Sequence, residues 1–424
     1  MIRSRLTWLD ALRGYAAVVV ALFHLSPTVI GRERHLAMHE HFDFGRYGVL
    51  LFFVVSGYVI PMSLERHGSL RRFWVGRLFR IYPAYLLAGG VSLILVFAGW
   101  QRLEPTFYKD TVATVLGHVT MLSDLLGMRT LTRPMWTLSY EMIFYLIVAG
   151  LFVWRRHRDS AWWAAGLALI VLVAGRALPP GLFAGTFDGR RITGAVLVVL
   201  VLGCVAAYLS GRRGPALVAG VVGLGMVLLP LLNGQPTWYA TPKSSSNATL
   251  MLAVMFCGTV IYRAQHGQLD RRVAAAVLTL VTVVQGINQW LLDGTQLLRN
   301  CLVAGAVAGS FAIAFLLRNR AFPAFLSWLG LVSFSVYLLH MPVLAVAQHF
   351  LRDHPFQLFA AFVVGTLVVS WAAYHLVERP GQELGRRVES YLEGRFGPAT
   401  RVSIANTEGG TPSTGSFGLQ RESV

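Results

Sequence analysis

The feature that most constrains this 424-residue chain is a succession of apolar runs, each of roughly 17 to 25 residues. Helices that face water on one side place apolar residues every three or four positions, and these runs are apolar throughout. An α-helix needs about 20 such residues to cross ~30 Å of hydrocarbon, where every backbone amide must be satisfied internally. Stretches near 7–28, 48–64, 81–99, 135–153, 161–177, 194–210, 214–233, 249–264, 273–292, 299–317, 331–349 and 356–377 read as spans. The shorter ones leave a count of ten to twelve. The expected fold is therefore all-α, a polytopic transmembrane helical bundle.

With 55% hydrophobic and 13% charged residues, the chain has no polar segment before about residue 380 large enough for a soluble domain. Residues 1–380 are expected to form one membrane unit, followed over 381–424 by a cytoplasmic basic stretch and a disordered tail ending in EGGTPSTGSFGLQRESV. Arginines recur in alternate connections: Arg3 and Arg5; Arg66, Arg71, Arg72, Arg77 and Arg80; Arg155, Arg156 and Arg158; Arg212 and Arg213; Arg263, Arg271 and Arg272; Arg318 and Arg320; Arg379, Arg386 and Arg387. The positive-inside rule then puts both termini in the cytoplasm. Outer connections at 29–47, 100–134, 178–193 and 234–248 also carry some arginine. The formal net charge of +17 is accounted for by this topology and by contact with anionic lipid, so nucleic acid is not an expected partner.

Cys204, Cys257 and Cys301 lie within apolar runs with neither metal-type spacing nor a disulfide framework, and read as core residues; no metal is expected. Arg13 interrupts the first apolar run and no cleavage site follows it, so that run reads as a retained span. Lysine occurs only at Lys109 and Lys243, a bias that fits a GC-rich genome.

An ionisable group inside a span costs a few kcal/mol and needs a function or a partner. Arg13 and His24 are eleven positions apart, about 1100° of helical rotation, which returns to within roughly 20° of one face at ~16 Å separation. The guanidinium can hold an anionic donor near the cytoplasmic mouth while the deeper imidazole handles a proton. The structural alternative is an Asp10–Arg13 interfacial pair with a histidine bonded to a backbone carbonyl. Arg77 and Arg80, three apart on the approach to the third span, can face one phosphate-bearing ligand, or simply mark topology. Glu141 has three open readings: it orients His24, binds an acceptor hydroxyl or stitches two helices together. Trp136, Ser139 and Tyr140 are candidate acceptor contacts. His340 and Glu378, read as lying near the ends of the last two spans, fit structural roles.

Several of these segments resemble the acyltransferase-3 family of integral membrane O-acyltransferases. They are LDALRGYAAVVVALFH, GVLLFFVVSGYVI, the Arg-x-x-Arg of GRLFRIYPAY, WTLSYEMIFY, SFSVYLLHMPV and HLVERP, in the family's order over residues 7 to 380. Phe334 stands where a tyrosine is common. The resemblance implies essential roles for Arg13 and His24, acyl-CoA use through Arg77 and Arg80, and about ten spans. It also implies acyl-CoA, with acetyl-CoA as the expected form, as donor to a hydroxyl of a surface polysaccharide, a glycolipid or a macrolide-like metabolite. The extracytoplasmic esterase-like domain of some members has no counterpart in this sequence. A secondary transporter is the rival class, although no paired halves with broken helices are visible; a homo-oligomer is left open.

Overall fold

The computed structural model describes residues 6–235 and 244–397. Arg3, Arg5, most of the 234–248 connection and the tail from 398 to 424 lie outside the described residues. Described residues form helices and no strand: α1 (Thr7–Val29), α2 (Arg32–His41), α3 (Phe44–His67), α4 (Leu70–Phe97), α5 (Thr106–Lys109), α6 (Thr111–Thr120) and α7 (Thr137–Val153). There follow α8 (Ser160–Ala174), α9 (Phe187–Ser210), α10 (Arg213–Gly225), α11 (Leu228–Leu232) and α12 (Ser245–Gln265). The last are α13 (Arg271–Asp293), α14 (Leu297–Leu316), α15 (Ala324–Leu351), α16 (Pro355–Ala373) and α17 (Arg379–Phe396).

Eleven helices among the described residues are long and apolar enough to cross a membrane, with α10–α11 and α16–α17 each counted as one. The bundle is that of a multi-pass membrane protein. The expected span at 161–177 is the exception, because α8 is only 15 residues long. An apolar run does not by itself fix a helix end. Here Gly175 leaves the helix, its carbonyl accepts from Ser246 Oγ at 2.6 Å, and Pro179 and Pro180 bar continuation. The third span also begins earlier than expected, at Leu70, so Arg71, Arg77 and Arg80 ride on α4 itself.

α3, α7 and α12 are buried nearly all round and form the centre, as their continuous apolar sequences require. α1 packs against both α3 and α15. At the α1–α15 crossing a Cβ added at Gly330 would overlap the Asp10 carbonyl, and one added at Gly14 would lie 2.8 Å from the Gly330 nitrogen. The two helices therefore touch backbone to backbone, which fixes the relative height of their side chains.

Two buried arginines, basic-loop residues by sequence, hold the bundle together. Arg71, 1% exposed, donates from Nε to the Leu209 carbonyl at 2.7 Å, from Nη2 to that of Ser210 at 3.1 Å and from Nη1 to that of Gly397 at 2.7 Å, satisfying carbonyls at the ends of α9 and α17. Arg263 makes a two-pronged contact with Glu65, one prong at 2.7 Å, and also donates to the His157 carbonyl at 2.8 Å. Of the cysteines, Cys204 and Cys257 are buried as expected; Cys301 is exposed, a correction, because it sits at the rim of the α13–α14 contact beside Gly286 and not inside the bundle.

Candidate active site

Five elements, α1, α3, α4, α7 and α15, bring the sequence-predicted groups into two neighbouring clusters. Arg13, Arg77, Arg80, Glu141 and Tyr145 line one narrow cleft of about 20 Å³, together with Phe52, Ser56 and Phe334. The Arg13 guanidinium lies 5.6 Å over Phe52, and that of Arg77 lies 5.4 Å over Phe73 and 5.5 Å over Tyr145. Glu141 and Tyr145, one turn apart on α7, are joined by a hydrogen bond from the Tyr145 hydroxyl. Glu378 sits on the π-helical turn Tyr374–Glu378 and accepts from Ser335 Oγ, with Arg80 and Arg13 as its charged neighbours. Among the described residues no carboxylate is within ion-pair distance of Arg13, Arg77 or Arg80. With Asp10, Glu141 and Glu378 near but not paired to them, the three guanidiniums keep donors available to an anion.

The second cluster is a pair of imidazoles. His24 Nδ1 is 3.0 Å from His340 Nε2, and His340 Nδ1 is 3.0 Å from the Val336 carbonyl. The ring centroids are 5.1 Å apart and the planes differ by 21°, so the rings meet edge to edge. A carbonyl can only accept. His340 therefore carries its proton on Nδ1, its Nε2 is the acceptor, and in the neutral pair His24 donates from Nδ1. The lone pair of His24 is thereby left on Nε2. His340 is fully buried in mid-α15 and not near a span end, which corrects its reading as an interfacial residue.

Between the clusters stands a stacked pair, Phe52 and Tyr337, with centroids 5.8 Å apart and planes within 9°. Phe52 touches Arg13 on one side, and the Tyr337 ring is 6.3 Å from His340 on the other. The Tyr337 hydroxyl is 3.1 Å from Thr137 Oγ1. His24 does not line the arginine cleft. On α2, outside the spans, burial and then His39 hold His35 below the ordinary imidazole range.

A family profile described as "Acyltransferase domain" matches residues 6–375, nearly the whole described chain. The chain belongs to the acyltransferase-3 family. Its relatives include YrhL of Bacillus subtilis (strain 168), assigned by its name as a peptidoglycan O-acetyltransferase, at 24% identity over 89% of this chain and 55% of that protein. The acyltransferase MdmB of Streptomyces mycarofaciens is 28% identical over 40% of this chain and 45% of its own length. The exopolysaccharide production protein ExoZ of Rhizobium meliloti (strain 1021) is 27% identical over 84% of this chain and 96% of its own. The match thus spans about half the length of the first two. No solved structure gives a significant match.

The fold brings Arg13, Arg77, Arg80 and Glu141 together and sets His24 one aromatic stack away. Ser139 and Tyr140 point elsewhere. Ser139 Oγ donates to the Met121 carbonyl at 2.7 Å, and the Tyr140 hydroxyl donates to Asp124 Oδ2 at 2.9 Å, so both hold the 121–126 segment against α7. Trp136 is half-buried and packs on the Tyr140 ring at 5.8 Å. Sequence reasoning missed the roles of His340, Tyr337, Ser335 and Glu378 here. The signal available was that His340 and Glu378 are ionisable groups in apolar surroundings.

Proposed function

We propose that this acyltransferase moves an acyl group, with acetyl the simplest case, from acyl-CoA to a hydroxyl of a carbohydrate or a glycosylated secondary metabolite. The observation that carries the reading is one stripe of α1 that sets Arg13 among three guanidiniums, none ion-paired to a described residue, at one end and His24 in a histidine pair at the other. The arginine cluster suits the phosphates of coenzyme A. His24 Nε2, oriented by His340, takes the proton of the acceptor hydroxyl as its oxygen attacks the thioester carbonyl. The tetrahedral adduct then expels coenzyme A thiolate, which recovers the proton from His24. Because the cleft is narrow, donor entry requires α1, α4 and α7 to part and the Phe52–Tyr337 stack to turn aside. Trp136 faces the acceptor, and Ser139 and Tyr140 act on it through the segment they hold. In this reading the protein sits in a bacterial cytoplasmic membrane with both termini in the cytoplasm, and the acyl donor arrives from that side.

The names of YrhL and ExoZ support a cell-wall or exopolysaccharide sugar as acceptor class. Membranes containing wild-type or His24→Ala protein at matched levels, supplied with radiolabelled acetyl-CoA and a glycan extract, test the mechanism. Label should reach the glycan only with the wild type; near-normal transfer by His24→Ala would refute it, and substrate flux without acetyl-CoA consumption would indicate a transporter.

A further inference from the structure

A cavity of about 540 Å³ lies outside the site just described. It lies between α13 and α14 on the outside and α3 and α12 on the inside. It touches Leu50 and Val54 on α3, whereas the arginine cleft uses Phe52 and Ser56, so α3 separates the two. Its width comes from small side chains. Ala304, Ala308 and Ala312 recur every four residues on one face of α14 and help to line it. The wall is apolar along its length, and the Thr282 hydroxyl is spent on the Leu278 carbonyl at 2.8 Å.

Both ends are polar, and they differ. At one end are Arg271, the first residue of α13, and Arg318, just beyond α14; these helices are antiparallel, so the two arginines share one side of the bundle. Arg318 is held there, 4.2 Å over the Phe315 ring and donating to the Phe315 carbonyl at 2.8 Å. At the other end is Gln285, fourteen residues along α13 from Arg271, or about 21 Å. We propose that this cavity is a site for one acyl chain of an anionic phospholipid, whose phosphate rests on Arg271 and Arg318. Charge complementarity selects the occupant: a paired guanidinium mouth at the membrane surface above an apolar slot fits a phosphodiester on a hydrocarbon chain. A zwitterionic headgroup gains less there, since its own cation opposes the two arginines.

The full chain, purified in mild detergent with phosphatidylglycerol or phosphatidylcholine and analysed by native mass spectrometry, tests this. Phosphatidylglycerol should be retained on the wild type and phosphatidylcholine lost. The Arg271→Gln/Arg318→Gln double variant should bind phosphatidylglycerol about thirtyfold more weakly. Ala308→Phe, which fills the slot, should abolish retention with the arginines intact; if it does not fold, Ala312→Leu occupies the same wall. An Arg212→Gln/Arg213→Gln control should retain the lipid. Equal loss in that control, unchanged retention in the slot-filling variant, or displacement by millimolar inorganic phosphate would each overturn the proposal.

Discussion

His24 Nδ1 donates to His340 Nε2 across 3.0 Å, and this bond joins the first long helix to α15, 316 residues away in sequence. Because His340 Nδ1 is committed to Val336, the direction of the bond is fixed and His24 presents Nε2. His340 is thus a positioning residue, and its loss should differ from loss of the base. His24→Ala should lower kcat by about 10²–10⁴-fold. His340→Ala should lower it less, and His340→Gln, whose amide oxygen can accept from Nδ1, should recover part of the difference. The KM for acyl-CoA should stay unchanged in both His340 variants. Equal kcat for the alanine and glutamine variants would contradict the tautomer argument.

Arg77→Gln and Arg80→Gln address the other cluster. Each removes a guanidinium that has no ion pair among the described residues, so folding should be little affected. Loss of one charge-assisted contact, about 1.5–3 kcal/mol, should raise the KM for acyl-CoA by roughly tenfold to a hundredfold. Steady-state kinetics in proteoliposomes would show this, and a fall in kcat at constant KM would argue against a donor-binding role.

Arg71 should behave in the opposite way. Replacing it with methionine leaves the Leu209, Ser210 and Gly397 carbonyls unpaired, at a cost of about 3 kcal/mol or more. Thermal unfolding in detergent should fall well below wild type, and surviving protein should keep its KM.

The Glu65–Arg263 pair, 7% and 1% exposed, allows a double-mutant cycle. Glu65→Gln alone strands a buried guanidinium and should cost about 3–5 kcal/mol. Glu65→Leu with Arg263→Met should cost less than the two single changes added together, as measured by denaturant unfolding; strict additivity would mean that the charges do not interact.

How far the sequence could be read depends on the range of the interaction. Long apolar runs decide helices locally, and eleven of the expected spans have the length to cross. Arg13 and His24 share one helix and Arg77 and Arg80 another, so helical geometry places each pair. The His24–His340 bond, the Ser335–Glu378 bond and the burial of Arg71 depend on contacts between distant segments, and spacing within one helix carries no record of them. Ser139 and Tyr140 misled for a related reason, since a hydroxyl on a polar-looking helix start serves a substrate or a neighbouring loop equally well. Only the fold showed that the 121–126 segment takes both.

The Arg71 clasp bears on how this protein could be shortened. The family match stops at residue 375, yet the guanidinium that secures α9 also grips Gly397, and Gly381 and Gly385 let α17 lie directly on Phe79 of α4, the helix that carries Arg77 and Arg80. A gene cut at the homology boundary would amputate a brace from the donor side of the bundle, so expression trials should set their stop codon beyond residue 397.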